Sequence, residues 1–132
     1  MKCVVVSPEK TVLDVEAESV VLPLTDGEYG VLPGHTPLIA RLGAGELRIQ
    51  ETGGAASSYY VENGFVEVLG NSVALLTMRI LPVDELDVEE AEKKLQSALD
   101  RAANTPELAA LNTERVINRR ARLRVARKYA KR

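Results

Sequence analysis

The spacing of apolar residues changes once along this chain, at Leu81-Pro82-Val83, and that change sets what the two sides can fold into. Before Pro82 the pattern has a period of two; after it, apolar positions recur every three or four residues. The first period belongs to half-buried strands and the second to one stripe of a helix. Residues 11–18 place Leu13, Val15 and Ala17 on one side, with Val12, Asp14, Glu16 and Glu18 on the other. Residues 46–50 alternate in the same way. Three runs, 3–6, 20–24 and 73–78, are apolar enough to be covered on both faces, and they read as central strands. Asp26-Gly27, Gly53-Gly54, Asn63-Gly64 and Gly70-Asn71 can each supply the positive φ angles of a tight hairpin turn. No stretch of crossover-helix length interrupts these short strands. The spacing therefore predicts an antiparallel β-sandwich over residues 1–81.

After Pro82, Val88, Ala91, Leu95, Ala98 and Ala102 share one helical stripe. The stripe is rich in alanine, which admits a close neighbour but buries little area, at about 25 cal/mol per Å². Asp87 and Glu90 have capping-box spacing, and Glu89 with Lys93 and Glu90 with Lys94 stand in the favoured i, i+4 order. Residues 103–107, Ala-Asn-Thr-Pro-Glu, read as a stop and a restart: Asn104 suits a left-handed C-terminal turn, Thr105 a cap and Pro106 a first helical position. A second helix follows over about 106–129, so residues 82–132 are expected to form a two-helix antiparallel hairpin. Arg115, Arg119 and Arg122 fall on the same stripe as Leu108, Leu111 and Ala126. A seam interrupted by charge is marginal alone, and its guanidinium forks suit carboxylates on another chain. This predicts a detachable element.

Charge divides as sharply as periodicity. Of the 17 basic residues, seven arginines and two lysines lie between Arg115 and Arg132 with no acidic residue among them. The preceding residues hold eight basic groups against all 19 acidic ones, so a basic tail follows an acidic body. Such a tail seeks an acidic surface, whether protein, phosphate or lipid headgroup, or folds back on its own body. The longest apolar runs fall far short of the ~20 residues of a membrane span, and the opening apolar stretch is too short for a signal peptide. The expected place is the cytosol. Cys3 is the single cysteine, which excludes an internal disulfide and reads as a small buried hydrophobe. His35 is the single histidine and has no cysteine or carboxylate cluster beside it, so no metal site and no cofactor are expected. No nucleophile with its base, phosphate-binding glycine loop or zinc helix is evident, which argues against an enzyme.

The longest specific string is Asp26-Gly27-Glu28-Tyr29-Gly30-Val31-Leu32-Pro33-Gly34-His35-Thr36-Pro37-Leu38. It holds a turn, a short strand and the Pro-Gly pair of a type II turn, centred on Pro33 and Gly34. The string resembles the hallmark segment of the epsilon subunits of F-type ATP synthases. Val4-Val5-Val6-Ser7-Pro8, the segment 43–49 and Asn63-Gly64-Phe65-Val66-Glu67-Val68 are similar to that family too, so the resemblance covers essentially the whole chain. It implies the same order of parts, a sandwich and then a helical hairpin.

What the resemblance implies for function is specific. In that family the sandwich docks on the gamma subunit and rests on the ring of membrane c subunits, as part of the central stalk. It places Glu28, Tyr29 and Gly30 against the c-ring, and Pro33, Gly34, His35 and Pro37 toward gamma. The hairpin would move between a compact form and an extended one that reaches the alpha/beta catalytic head and restrains ATP hydrolysis, with Arg115, Arg119, Arg120, Arg122 and Arg124 meeting acidic segments there. The chain would be a monomer within a proton-translocating complex and a non-catalytic subunit of it. It would be peripheral at the cytoplasmic face of a bacterial inner membrane and held there only through the complex. Some members bind ATP through a motif that ends in Arg-Ala; the matching stretch is Leu86-Asp87-Val88-Glu89-Glu90-Ala91, with Glu90 in place of the arginine. A carboxylate there repels a polyphosphate, which makes nucleotide binding doubtful. The rival reading is a nucleic-acid-binding module in which a β-domain carries a basic helix. An acidic body, with one phenylalanine and four tyrosines available for stacking, argues against it.

Overall fold

The computed structural model describes residues 1–130. Lys131 and Arg132, the end of the basic tail, lie outside the described residues. The chain divides into two compact units, Met1–Pro82 and Val83–Arg132.

Six strands build the first unit: β1 (Lys2–Val6), β2 (Thr11–Leu24), β3 (Gly27–Val31), β4 (Leu38–Glu51), β5 (Ala56–Leu69) and β6 (Ser72–Pro82). Their hydrogen-bonded order is β1-β6-β5-β4-β2-β3, and β1 also pairs with β2, which closes the sheet on itself with β3 left as an outer edge. Every pairing is antiparallel except β1–β6, where Lys2 to Val6 run parallel to Ser72 to Leu76. These two strands lie at opposite ends of the unit in sequence, so no tight turn obliges them to be antiparallel. Three strands run to 14 residues, longer than the short strands the sequence pattern predicts. In β2 the length goes with bending: it pairs with β1 through residues 11–16, shifts register twice against β4, and continues beside β4 and β3. Register shifts of this kind bend and twist a strand, so one strand serves both layers of a flattened barrel.

The inward residues form a single apolar core that includes Cys3, Val5, Val20, Leu22, Val31, Leu47, Ile49, Val61, Val66, Val73 and Leu75. Tyr60 is buried and gives its hydroxyl hydrogen to Glu62 at 2.8 Å. Asn63-Gly64 is not a hairpin turn. It lies within β5, at φ 56° and 123°, and the pairing with β4 and β6 keeps register on both sides of it. A Cβ on Gly64 would stand 1.8 Å from the Leu76 carbonyl oxygen, so the glycine lets two strands approach where no side chain fits. The connection between β5 and β6 is made instead at Gly70-Asn71, where Gly70 has φ 60°.

Cys3 packs in the core, and burial chiefly, with the nearby Asp14 carboxylate, pushes its thiol up to about 11 from an ordinary 9.0. A raised folded-state value means that stability is fully present below the unfolded thiol's pKa and falls as the pH climbs from about 9 toward 11. Chemical denaturation across that window should therefore show a falling midpoint in the wild type, with a smaller fall in Cys3→Val, which lacks the thiol. Equal slopes would refute the assignment.

The second unit opens with a single 3-10 turn, Val83–Glu85, followed by α1 (Val88–Leu99) and α2 (Pro106–Lys128). Asp87 caps α1 by accepting from the Glu90 amide at 3.2 Å, and Thr105 caps α2 by accepting from Leu108 at 3.1 Å, with Pro106 at the first helical position. Helix α1 ends at Leu99, before Ala102 joins its stripe, because Asp100 makes the C-cap and its side chain is held by Gln96 at 2.9 Å. Ala91, Leu123 and Ala126 form a small core with Leu86, Val88 and Leu95 packed around it. Among the described residues, no helix is long and apolar enough to cross a membrane.

Candidate functional site

The segment 26–38 is an edge strand followed by a folded turn. Glu28, Tyr29 and Gly30 lie in β3 rather than in a loop, paired with Pro23, Leu22 and Val21 of β2. The Glu28 carboxylate is already engaged. Arg48, from β4, reaches across β2 and donates through Nη1 to Glu28 Oε2 at 2.8 Å and through Nη2 to Oε1 at 3.5 Å. The same Nη1 donates to Glu46 Oε1 at 3.3 Å, and the Glu46 side chain is almost completely buried. The hydrogen bond to Glu28, reinforced by both carboxylates, holds the Arg48 guanidinium above its ordinary range. The pair is fork-shaped, which fixes Glu28 in direction more than it stabilises the fold, since exposed ion pairs contribute about 1 kcal/mol or less.

Past β3 the chain turns through Pro33 and Gly34. The His35 amide donates to the Leu32 carbonyl at 3.1 Å and Gly34 has φ 86°, which is type II turn geometry. The His35 ring is held at both nitrogens. Nδ1 faces the Thr36 carbonyl at 2.5 Å and so carries a hydrogen, and Nε2 accepts the hydroxyl hydrogen of Tyr29 at 2.6 Å in the neutral ring. The Tyr29 and His35 rings meet edge to face at 5.4 Å. One hydrogen-bonded chain thus links Tyr29, assigned by resemblance to the c-ring, with His35, assigned to gamma. Pro37 then leads directly into β4.

The face that sequence reasoning missed lies just beyond. The run 73–78 is not covered on both faces: Val73, Leu75 and Thr77 are buried, whereas Ala74, Leu76 and Met78 point outward. Phe65 stands opposite Leu76, and Ile39 stands in the next row, opposite Glu67, which faces Ala74. Exposure reaches 74% at Ile39, 61% at Met78 and 54% at Phe65. Val6, Ile39, Phe65, Leu76 and their neighbours line an open apolar depression there. Large side chains gathered in this way mark an interaction surface rather than ordinary surface scatter. The signal was available in the sequence: in an antiparallel sheet with a single core, a continuous apolar run leaves one apolar face outside.

The arginines of α2 do not form one surface. Arg122 is buried, 8% exposed, with Nη2 at 3.8 Å from Glu90, whereas Arg120 and Arg124 are exposed. Arg115 and Arg119 are half-buried toward α1. Glu90 also takes Lys94 at 3.1 Å, so the residue that replaces the motif's arginine is occupied within the hairpin. Arg127 pairs with Glu92 at 3.4 Å. Leu108, Leu111 and Ile117 are exposed along α2. Among the described residues, no three His, Cys, Asp or Glu side chains gather in a group that could hold a metal.

Residues 1–83 match the sequence profile of the family described as ATP synthase, Delta/Epsilon chain, beta-sandwich domain, which defines the class of this fold. The ATP synthase epsilon chain of Rhodopirellula baltica is 47% identical over 127 residues, covering 96% of this chain and 98% of that one. That of Rubrobacter xylanophilus is 36% identical over 135 residues, covering 96% and 92%. This chain belongs to the ATP synthase epsilon chain family. A chain of the Euglena gracilis mitochondrial ATP synthase superposes with a TM-score of 0.77 at 22% identity, over 90% of this chain and 76% of that one. A chain of the Tetrahymena thermophila mitochondrial ATP synthase central stalk and c-ring gives 0.77 at 15% identity, over 96% of each. At these identities the likeness is one of fold.

Proposed function

We propose that this chain is a non-catalytic central-stalk subunit of an F-type ATP synthase, coupling rotation of gamma and the c-ring to ATP synthesis while its hairpin restrains ATP hydrolysis. The observation that carries the reading is the exposed apolar face of β4, β5 and β6, which begins two residues after Pro37. The gamma contact then comprises Pro33, Gly34, His35 and Pro37 together with Ile39, Phe65, Leu76 and Met78. Relatives in the epsilon family and a fold shared with chains of rotary synthases support it. The c-ring contact is Glu28, Tyr29 and Gly30, presented on an edge strand stiffened by Arg48. Torque passes best through a contact with little slack, and the Arg48 fork and the Tyr29–His35–Thr36 chain remove slack from both ends of this segment.

The brake resides in the hairpin. Arg120 and Arg124, exposed on α2, and Arg115, Arg119 and Arg122, which an extended form would release, meet the acidic segments of the alpha/beta head. A shift of a few kcal/mol between forms is enough to exchange their populations. The subunit sits at the cytoplasmic face of a bacterial inner membrane through the complex alone. Truncation after Asn104 removes α2 and should raise ATP hydrolysis by the assembled complex while leaving the sandwich bound. Unchanged hydrolysis would refute the inhibitory role.

A further inference from the structure

The exposed apolar face of β4, β5 and β6 holds a carboxylate. Glu67 on β5 stands opposite Ile39 on β4 and Ala74 on β6, and Phe65 and Leu69 flank it two residues away on the same side of its own strand. Ile39, Phe65, Leu69 and Leu76 are all exposed around it. Among the described residues that line the depression on this face, Glu67 alone is ionisable. Glu28 and Glu46 are answered by Arg48, and Glu62 by Tyr60 and Arg79. Glu67 has no such answer: among the described residues no ion pair or side-chain hydrogen bond engages it. Arg41, diagonal to it on β4, stands opposite Phe65 and makes no ion pair with it.

In water an unpaired carboxylate is satisfied by its hydration. Covering this face with a partner removes that water from a group with no donor on its own chain, and an unpaired buried charge is strongly unfavourable. The partner therefore has to bring a cation. A guanidinium fits better than an ammonium, because its planar fork meets both carboxylate oxygens at once and is more weakly hydrated. We propose that Glu67 is a specificity-determining residue of the gamma contact, received by an arginine of gamma that fixes the register of the two surfaces. The inference rests on the assignment of this face to gamma made above. An apolar patch alone tolerates sliding, whereas one charge pair inside it admits a single register.

The test is surface plasmon resonance of the full chain against purified gamma, which separates association from dissociation. Glu67→Gln keeps the shape and removes the charge; it should speed dissociation about tenfold or more and leave association within about threefold, since a desolvated pair acts on the off-rate and a rim charge on the on-rate. Glu67→Leu should also weaken binding, although it extends the apolar face. Glu18→Gln removes an equal charge at an exposed position on β2 and should leave both rates within about threefold. A thermal melt verifies that each variant keeps the sandwich. Unchanged dissociation in Glu67→Gln, or tighter binding by Glu67→Leu, would overturn the proposal, because gamma would then offer no cation at this position. If binding is still lost in the Phe65→Asp, Leu76→Lys double variant, the gamma assignment stands and the charge pair alone falls; if the double variant binds normally as well, both fall.

Discussion

Replacing Phe65 by Asp and Leu76 by Lys together should leave the sandwich folded and cut its affinity for gamma at least a hundredfold. The two positions stand directly opposite each other on β5 and β6 and point outward, so the exchange sets an acid against a base across the strands, a favourable pair. Stability should stay within about 1 kcal/mol of wild type, as for other surface changes. The binding loss follows from two buried anchors at about 1.5–2 kcal/mol each, with each 1.4 kcal/mol worth tenfold, plus the cost of desolvating two charges. Pull-down with purified gamma, with a melt as control, reads both quantities. Undiminished binding would place gamma on another face and remove the main support for the stalk assignment.

Gly64→Ala is expected to have the largest effect on the fold itself. The new methyl would meet the Leu76 carbonyl at a distance no contact permits, and the residue would have to keep φ near 123°. Backbone strain of about 1–3 kcal/mol adds to an overpacking cost of similar size, a combined range of about 2–6 kcal/mol, and a loss of about 3 kcal/mol is expected. For a unit of this length that lowers the melting midpoint by roughly 12–24 °C. Gly30→Ala is the matched control: nothing lies within 4 Å of its Cβ position and its φ is not positive, so the midpoint should barely move. Equal melting of the two variants would mean that β5 and β6 do not approach as described.

Much of the architecture was legible because periodicity is a local property. The alternation of residues 11–18 and the 3–4 spacing after Val88 each follow from which side faces the core, and both survive folding unchanged. The caps at Asp87 and Thr105 were equally readable, since they depend on residues three apart. Strand length was not legible. A strand that bends by register shifts looks in sequence like two short strands, and Asn63-Gly64 looks like a turn until its neighbours on both sides are known. Candidate site residues can be named from sequence where they make a contiguous string, from Glu28 to Pro37. They were missed where they come from three strands, as with Ile39, Phe65 and Leu76. Nor could sequence show that Arg48, 20 residues away, occupies the Glu28 carboxylate. Three of the five arginines proposed for the head, Arg115, Arg119 and Arg122, share one stripe in sequence, yet Arg122 turns inward, with the Glu90 carboxylate within its reach.

The parallel pairing of β1 with β6 has a consequence for biogenesis. Lys2 waits for Ser72, 70 residues later, before the barrel can shut. At about 5–20 residues per second, a ribosome leaves that edge unmatched for roughly 4–14 s. During this interval Val4-Val5-Val6 has only β2 to cover it, and open, β-prone edges of that kind are where nascent chains stick to one another. The earliest strand of this unit is thus among the last to be secured, and the newborn chain is at its most vulnerable just before Leu76 arrives.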